Sequence, residues 1–319
     1  MKPPYDITSE ILQSLMAIAE LLGEVQAIHL HTPSVELQKR NRVKTIQSSL
    51  AIEGNTLSEE QITALLNNKR VIGPKEEIIE VQNAIRVYES LSELDPYSTK
   101  SFLRAHKWLM EGLVDRPGQL RTQSVGIVKG DDVSHVAPPA AHLPQLLKDL
   151  FHYVKHDPDP ILLKSCVVHY EIEFIHPFMD GNGRMGRLWQ TLLLMQQYPV
   201  FAYLPFETII KSRQAEYYKT LEQSDKMGQS TPFIVFMLSA ILTALHELLT
   251  IHQPPKTGAE RIQYFISQFK GNSFTRKDYL RLFKNISPAT ASRDLKEAVE
   301  SGILNKKGEK RTTTYQVVS

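Results

Sequence analysis

"HPFMDGNGRMGR", residues 176–187, packs one imidazole, one carboxylate, three glycines and two arginines into twelve positions. "DGNG" is turn chemistry that ends whatever precedes it, and the "RMGRLWQTLLLMQQ" stretch reads as a strongly apolar helix. The glycines therefore sit at a helix N-terminus. Backbone N–H groups without intrahelical partners, together with the helix dipole, make such an end an anion site. Gly181 and Gly183 remove side chains that would hold a phosphate away from that backbone. Arg184 and Arg187, spaced i, i+3, emerge on one face of the first turn and can fork onto phosphate oxygens. Two cations at a helix N-terminus oppose the dipole, and a bound polyphosphate removes that conflict.

Asp180 cannot bind phosphate directly, but a hard oxygen ligand beside phosphates is the usual way to hold Mg²⁺. His176, four residues earlier, is the plausible general base, since an ordinary imidazole titrates near ~6.5. Together these groups describe transfer of a phosphate-containing group from a nucleotide to a hydroxyl. The Lys-Ser/Thr ending of a P-loop is absent, which disfavours an ordinary NTPase. A lone His-Pro or Gly-Asn-Gly would mean no more than a turn; the coincidence of all these positions is what carries the reading.

The chain around this stretch has 319 residues, 42% hydrophobic and 23% charged, which fits an ordered protein of about two domains at ~150 residues each. The single cysteine, Cys166, lies in the apolar run "LLKSCVVHY", so no disulfide can form within the chain and a reducing compartment is expected. Buried and inert is its simpler reading, a reactive thiol the sharper one. Glu10, Glu20 and Glu24 interrupt the first apolar stretch, and no run approaches the ~18 apolar residues of a membrane span. The expectation is a soluble cytoplasmic protein without membrane contact. Helical stripes recur at 75–91, 101–113, 143–154, 160–175, 184–197 and 233–250, after a first one through Ile11, Leu15, Ile18 and Leu22. The fold class is all-α. One region departs from it: "QLRTQSVGIVKGDDVSHVAPPA", 119–140, reads as a short exposed β-hairpin flap, with a plain connecting loop as the alternative. "HQPPKTG" after the last long helix is the best linker. Expected regions are therefore 1–100, helical; 101–252, the core that carries the motif; and 257–319, a small basic domain.

The stretch resembles the signature of the Fic family, His-x-Phe-x-Asp/Glu-Gly-Asn-Gly-Arg-x-x-Arg, at every fixed position, Phe178 included. With its surrounding helices and flap, the resemblance covers roughly residues 101–250. It implies AMPylation: transfer of AMP from ATP to a Ser, Thr or Tyr hydroxyl of a protein, releasing pyrophosphate. Under it His176 deprotonates the hydroxyl and Asp180 holds Mg²⁺. Asn182 and the backbone at Gly181 and Gly183 cradle the phosphates, Arg184 takes the β-phosphate and Arg187 the γ-phosphate, with Gly186 counted among the ATP-binding residues. The flap at Val125, Gly126, Ile127 and Val128 would align the target by strand addition. Tyr217 and Tyr218 look like the family's tyrosine pair, whose first member approaches the nucleotide; aromatic pairs on helices also serve as core. Relatives that transfer phosphate instead carry a lysine where this chain has Gly183.

"SSLAIEGN", 48–55, is on periodicity alone an ordinary helix end, with Ser49 and Glu53 at i, i+4 and Gly54-Asn55 as the stop. It is also similar to the family's inhibitory motif, Ser/Thr-x-x-x-Glu-Gly/Asn, placed N-terminal to the core. That resemblance implies that Glu53 pairs with Arg187 and occupies the γ-phosphate position.

From 257 to 319 the chain carries 12 Lys+Arg against 6 Asp+Glu, while the remainder carries 25 against 29. A helix from Thr275, a turn at Asn285-Ile286, a helix opened by Ser287-Pro288 and two β-rich runs resemble a winged helix with 289–298 as recognition helix. DNA contact would use Arg293 and Lys296 with Lys306, Lys307, Lys310 and Arg311 in the wing. Winged helices also dock proteins. The enzyme reading thus stands beside a nucleotide-sensing DNA-binding regulator, and removal of AMP by the same site is a third direction. The chain itself is a candidate target, and a homodimer stays open.

Overall fold

A computed structural model describes residues 2–27, 35–123, 126–129, 132–251, 257–269, 273–283, 286–309 and 313–318. In chain order these form α1 (Ser9–Ala27), α2 (Val35–Ile52), α3 (Glu59–Leu66), α4 (Lys75–Glu89), α5 (Thr99–Leu109), β1 (Gly126–Lys129), β2 (Asp132–Val136), α6 (Leu143–His156), α7 (Ile161–Ile175), α8 (Asn182–Met195), α9 (Glu207–Ser212), α10 (Gln214–Met227) and α11 (Thr231–Ile251). The order continues with α12 (Gly258–Gln268), α13 (Arg276–Leu282), α14 (Pro288–Glu300), β3 (Leu304–Lys307) and β4 (Thr314–Val317). The backbone adopts the expected mostly helical fold with a hairpin at β1–β2, and the second strand pair, β3–β4, lies in the tail.

The chain divides into two compact units, Met1–Leu248 and Leu249–Ser319. The break expected near residue 100 is not there. α4 packs on α5, and α2 packs on both α9 and α8, so the N-terminal helices belong to the body that holds the motif.

α7 is buried along most of its length, Leu162, Cys166, Val167 and Tyr170 included, with Lys164, Glu171 and Glu173 only partly covered. A helix buried on so many sides has to be central. It packs along α8, and the loop between the two helices carries the motif. Behind them Phe102 meets Trp189 edge-on at 5.1 Å and Phe151 at 5.6 Å, a packed aromatic wall that fixes the first half of α8. Burial pushes the Cys166 thiol up to about 12, which leaves it inert. α11 is long and apolar enough to cross a membrane, contrary to the sequence expectation, but most of its apolar window is buried in the protein. β1 and β2 pair antiparallel from Gly126↔Val136 to Lys129↔Asp132, with a register shift between Ile127 and Val128.

In the second unit Thr257, Thr275 and Ser287 each cap a helix, the first two as capping boxes with Glu260 and Asp278. Pro288 takes the first helical position of α14, as the sequence suggests. Ile262, Phe265, Tyr279 and Leu295 form its core. β3 and β4 are antiparallel, and Phe274 bridges to Tyr315 as a third rung.

Candidate active site

The loop between α7 and α8 is built by closing contacts on its own backbone. His176 caps α7 in the left-handed region, φ 48°, with its N–H donating to Ile172 O at 3.1 Å; Pro177 then prevents further helix. Two residues on, Phe178 N–H donates to Asn182 Oδ1 and Asn182 Nδ2 donates to Phe178 O, both at 3.0 Å. The Asn182 amide is thus occupied in shaping the loop. Phe178 stacks on His106 at 3.6 Å. His106 Nδ1 accepts from Gly118 N–H at 2.8 Å, which leaves Nε2–H to donate to Asp180 O at 3.0 Å. Burial pulls His106 down to about 4, keeping it neutral in that role. Gly181 follows at φ 82°, where a Cβ would sit 2.7 Å from Met110 Sδ.

The first turn of α8 holds the anion cradle. Its first helical bond runs from Met185 N–H to Gly181 O, with the N–H groups of Asn182, Gly183 and Arg184 ahead of it. A Cβ at Gly183 would lie 2.5 Å from Glu53 Oε1 and 3.1 Å from both Arg187 Nη1 and Glu173 Oε1, so only glycine lets these groups converge. Arg187, fully buried, donates from Nε to Ser49 Oγ at 3.0 Å, and from Nη2 to Ser49 O at 3.0 Å and Glu53 Oε1 at 2.6 Å. Arg184 donates to Glu80 Oε1 at 2.6 Å and to Asp180 Oδ2 at 3.2 Å. Among the described residues, buried Arg184 Nε and Arg187 Nη1 have no hydrogen-bond partner. An unsatisfied buried donor costs ~1–3 kcal/mol, so these two mark where an anion's oxygens would be welcome.

His176, Asp180, Gly181, Asn182, Gly183, Arg184, Arg187, Ser49 and Glu53 therefore come together around one turn. Two further residues assigned from sequence sit one layer behind this turn. Gly186 faces α7, where a Cβ would meet His169 at 2.4 Å, so helix packing requires glycine there. Tyr217 is fully buried, its hydroxyl 2.9 Å from Glu173 Oε1 and 3.1 Å from His169 Nε2, while half-exposed Tyr218 donates to Ile52 O beside Glu53. Gly126, Ile127 and Val128 do form the flap strand; Val125, Lys310 and Arg311 lie outside the described residues. Arg293, Lys296, Lys306 and Lys307 are exposed, with Lys296 3.6 Å from Glu300.

Four residues of the site carry no motif: Glu80, Glu173, His106 and Arg121. Burial first, then Glu53, raises Glu173 to about 7, which places a second carboxyl of adjustable charge beside Arg187. Its only sequence signal is a carboxylate three residues before His176 in an apolar helix. For Mg²⁺ the described residues offer no cluster of three or more metal-ligating side chains. Asp180, its side chain 59% exposed beside the cradle, suits an ion that takes its other ligands from phosphate and water. A cavity of about 580 Å³ opens next to it, lined in part by Arg116, Met179 and Asp180.

The Fic/DOC family profile matches residues 96–194. A Fic family protein of known structure from Desulfovibrio desulfuricans G20 is 38% identical and superposes with a TM-score of 0.77, covering 100% of this chain and 99% of that one. The chain belongs to the Fic family. Among curated relatives in the family, protein adenylyltransferase fic-1 of Caenorhabditis elegans is 29% identical over 70% of this chain and 44% of its own length. Protein adenylyltransferase Fic of Drosophila virilis is 27% identical over 72% and 48%. The chain thus spans under half the length of these curated relatives.

Proposed function

We propose that this Fic protein transfers AMP from ATP to a hydroxyl of a protein, and that Glu53 restrains it. The acceptor oxygen attacks the α-phosphorus, the bond to the β-phosphate bridging oxygen breaks, pyrophosphate leaves, and His176 takes the hydroxyl proton. The α8 turn binds the phosphates through its N–H groups and two arginines. Mg²⁺, carried in with ATP and held by Asp180, would neutralise charge on the leaving pyrophosphate. The acceptor segment would pair with β1 and enter beside Met179 and Asp180.

One observation carries the reading: Glu53 Oε1 lies 2.6 Å from Arg187 Nη2, at the arginine the family uses for the γ-phosphate. A carboxylate there stands in for a phosphate oxygen and turns ATP away from a productive pose. An interaction of ~3–4 kcal/mol shifts such a population by two to three powers of ten. AMP removal, with Glu53 orienting a water, would use the same groups. We place the protein in the cytoplasm, with the chain itself among its acceptors.

Labelled ATP tests this on wild type, Glu53→Gly and Glu53→Gly/His176→Ala. Label on protein from α-labelled but not γ-labelled ATP, raised by Glu53→Gly and lost in the double variant, is the expected outcome. Label from the γ-position means a kinase, and equal labelling of wild type and Glu53→Gly removes the restraint.

The second unit supports a parallel reading as a winged helix on DNA, favoured by exposed Arg293, Lys306 and Lys307 on α14 and β3. DNA affinity of the full chain that is independent of salt would end it.

A further inference from the structure

Arg121 lies between α5 and the flap and is 3% exposed. Its backbone N–H donates to Pro177 O at 3.0 Å. Its guanidinium reaches two separate parts of the site. Nε donates to His176 O at 2.7 Å and Nη2 to Ile175 O at 3.2 Å, at the carbonyl end of α7. Nη1 donates to Gln123 O at 2.7 Å, three residues before β1, and Nη2 to Pro138 O at 2.6 Å, two residues after β2.

Each contact has a physical reason. The last carbonyls of a helix lack intrahelical donors and form the negative end of its dipole, so a cation is favoured there. A non-glycine residue at φ 48° persists only where its surroundings over-determine it, and His176 has its own carbonyl and both flanking carbonyls tied to Arg121. Bonding Gln123 O and Pro138 O with one planar group sets the distance between the hairpin stems. A lysine has the charge but a single nitrogen, which cannot span four carbonyls in two directions.

We propose that Arg121 is the positioning residue that couples flap to base. One side chain fixes the His176 peptide and the neck of the hairpin together, so that seating an acceptor on β1 and aiming the imidazole are a single event. The inference rests on the AMP-transfer reading for its role in turnover, and on geometry alone for the coupling itself.

The test places Arg121→Gln and Arg121→Lys in the Glu53→Gly protein. With automodification as the probe reaction, kcat is expected to fall about 100-fold, the size of a small misplacement of reacting groups, with KM for ATP unchanged. Hydrogen exchange should rise together in β1–β2 and at residues 175–178, and the His176 imidazole NMR resonances should move. Should the glutamine variant not fold, the lysine variant keeps the charge, loses the fork and takes the same readouts. Retained kcat in a protein that labels itself overturns the proposal, and so does faster exchange at only one of the two segments. If Glu53→Gly transfers no AMP at all, the functional reading fails, while exchange and imidazole resonances, which need neither ATP nor acceptor, still decide the role of Arg121.

Discussion

Each unit of the chain buries an arginine against a carboxylate, Arg261 in the second and Arg187 in the first, and these two pairs are built differently. In the second unit Arg261 grips Asp294 through Nε at 2.7 Å and Nη2 at 2.9 Å, and Tyr279 OH adds a third bond at 3.1 Å. The carboxylate is 1% exposed and closed in on both oxygens. In the first unit Arg187 meets Glu53 through one nitrogen, its Nη1 has no hydrogen-bond partner among the described residues, and the Glu53 side chain is 30% exposed. A bidentate, sealed pair specifies structure; a one-point pair with an idle donor and a removable partner is a place kept for something else.

Breaking the sealed pair should give the largest effect. Asp294→Ala strands a buried guanidinium and is expected to cost ~3–5 kcal/mol in urea unfolding of the second unit, whereas Arg261→Met with Asp294→Leu recovers most of it. A loss under ~1 kcal/mol in Asp294→Ala would erase the distinction. Glu53→Gly should act on ligand response instead. Pyrophosphate at a hundred times its Kd stabilises by ~2.7 kcal/mol whatever binds it, so at one fixed concentration the tighter-binding variant gains more. Glu53→Gly should therefore gain more in Tm than wild type, by several degrees, and Asp294→Ala no more than wild type. Equal shifts in wild type and Glu53→Gly would mean that Glu53 does not compete for Arg187.

The contrast also shows what a sequence can disclose. Helices with one apolar stripe, such as α4, α5 and α6, are visible because burial follows the 3.6-residue period. α2 is not, since its buried face carries Asn41, Thr45, Ser48 and Ser49 and its apolar contrast is weak. The motif around His176 is legible because its residues are local: loop, glycines and arginines fall within twelve positions. Glu80 reaches Arg184 across 104 residues and Arg121 reaches His176 across 55, and no local pattern marks either. Gly186 sits beside site residues in sequence, yet helix geometry turns it to the packing side, against His169, while Tyr217 reaches the site from another helix through Glu173.

The smallest effect sharpens the comparison from a distance. Glu207 on α9 is fully buried, with Thr191 Oγ1 3.4 Å from its Oε1, and burial pushes its carboxyl up to about 8, with Arg187 among the groups that pull it back. A carboxyl whose folded pKa lies above its unfolded value holds a proton that the unfolded chain has released. Its contribution to stability is therefore complete below the unfolded value near 4.5 and is lost as pH rises through about 8. Glu171 and Glu173, both raised to about 7, slope the same way, so wild type alone cannot isolate it. Tm of Glu207→Gln minus wild type can: near zero below about 4.5, then growing in favour of the glutamine as pH climbs from there to about 8, and level above it. In the Arg187→Met background the glutamine advantage should widen, because the nearby cation no longer favours the carboxylate. An unchanged advantage would mean that Arg187 is electrostatically satisfied by Glu53 alone, and the loose pair would then be as closed as the tight one.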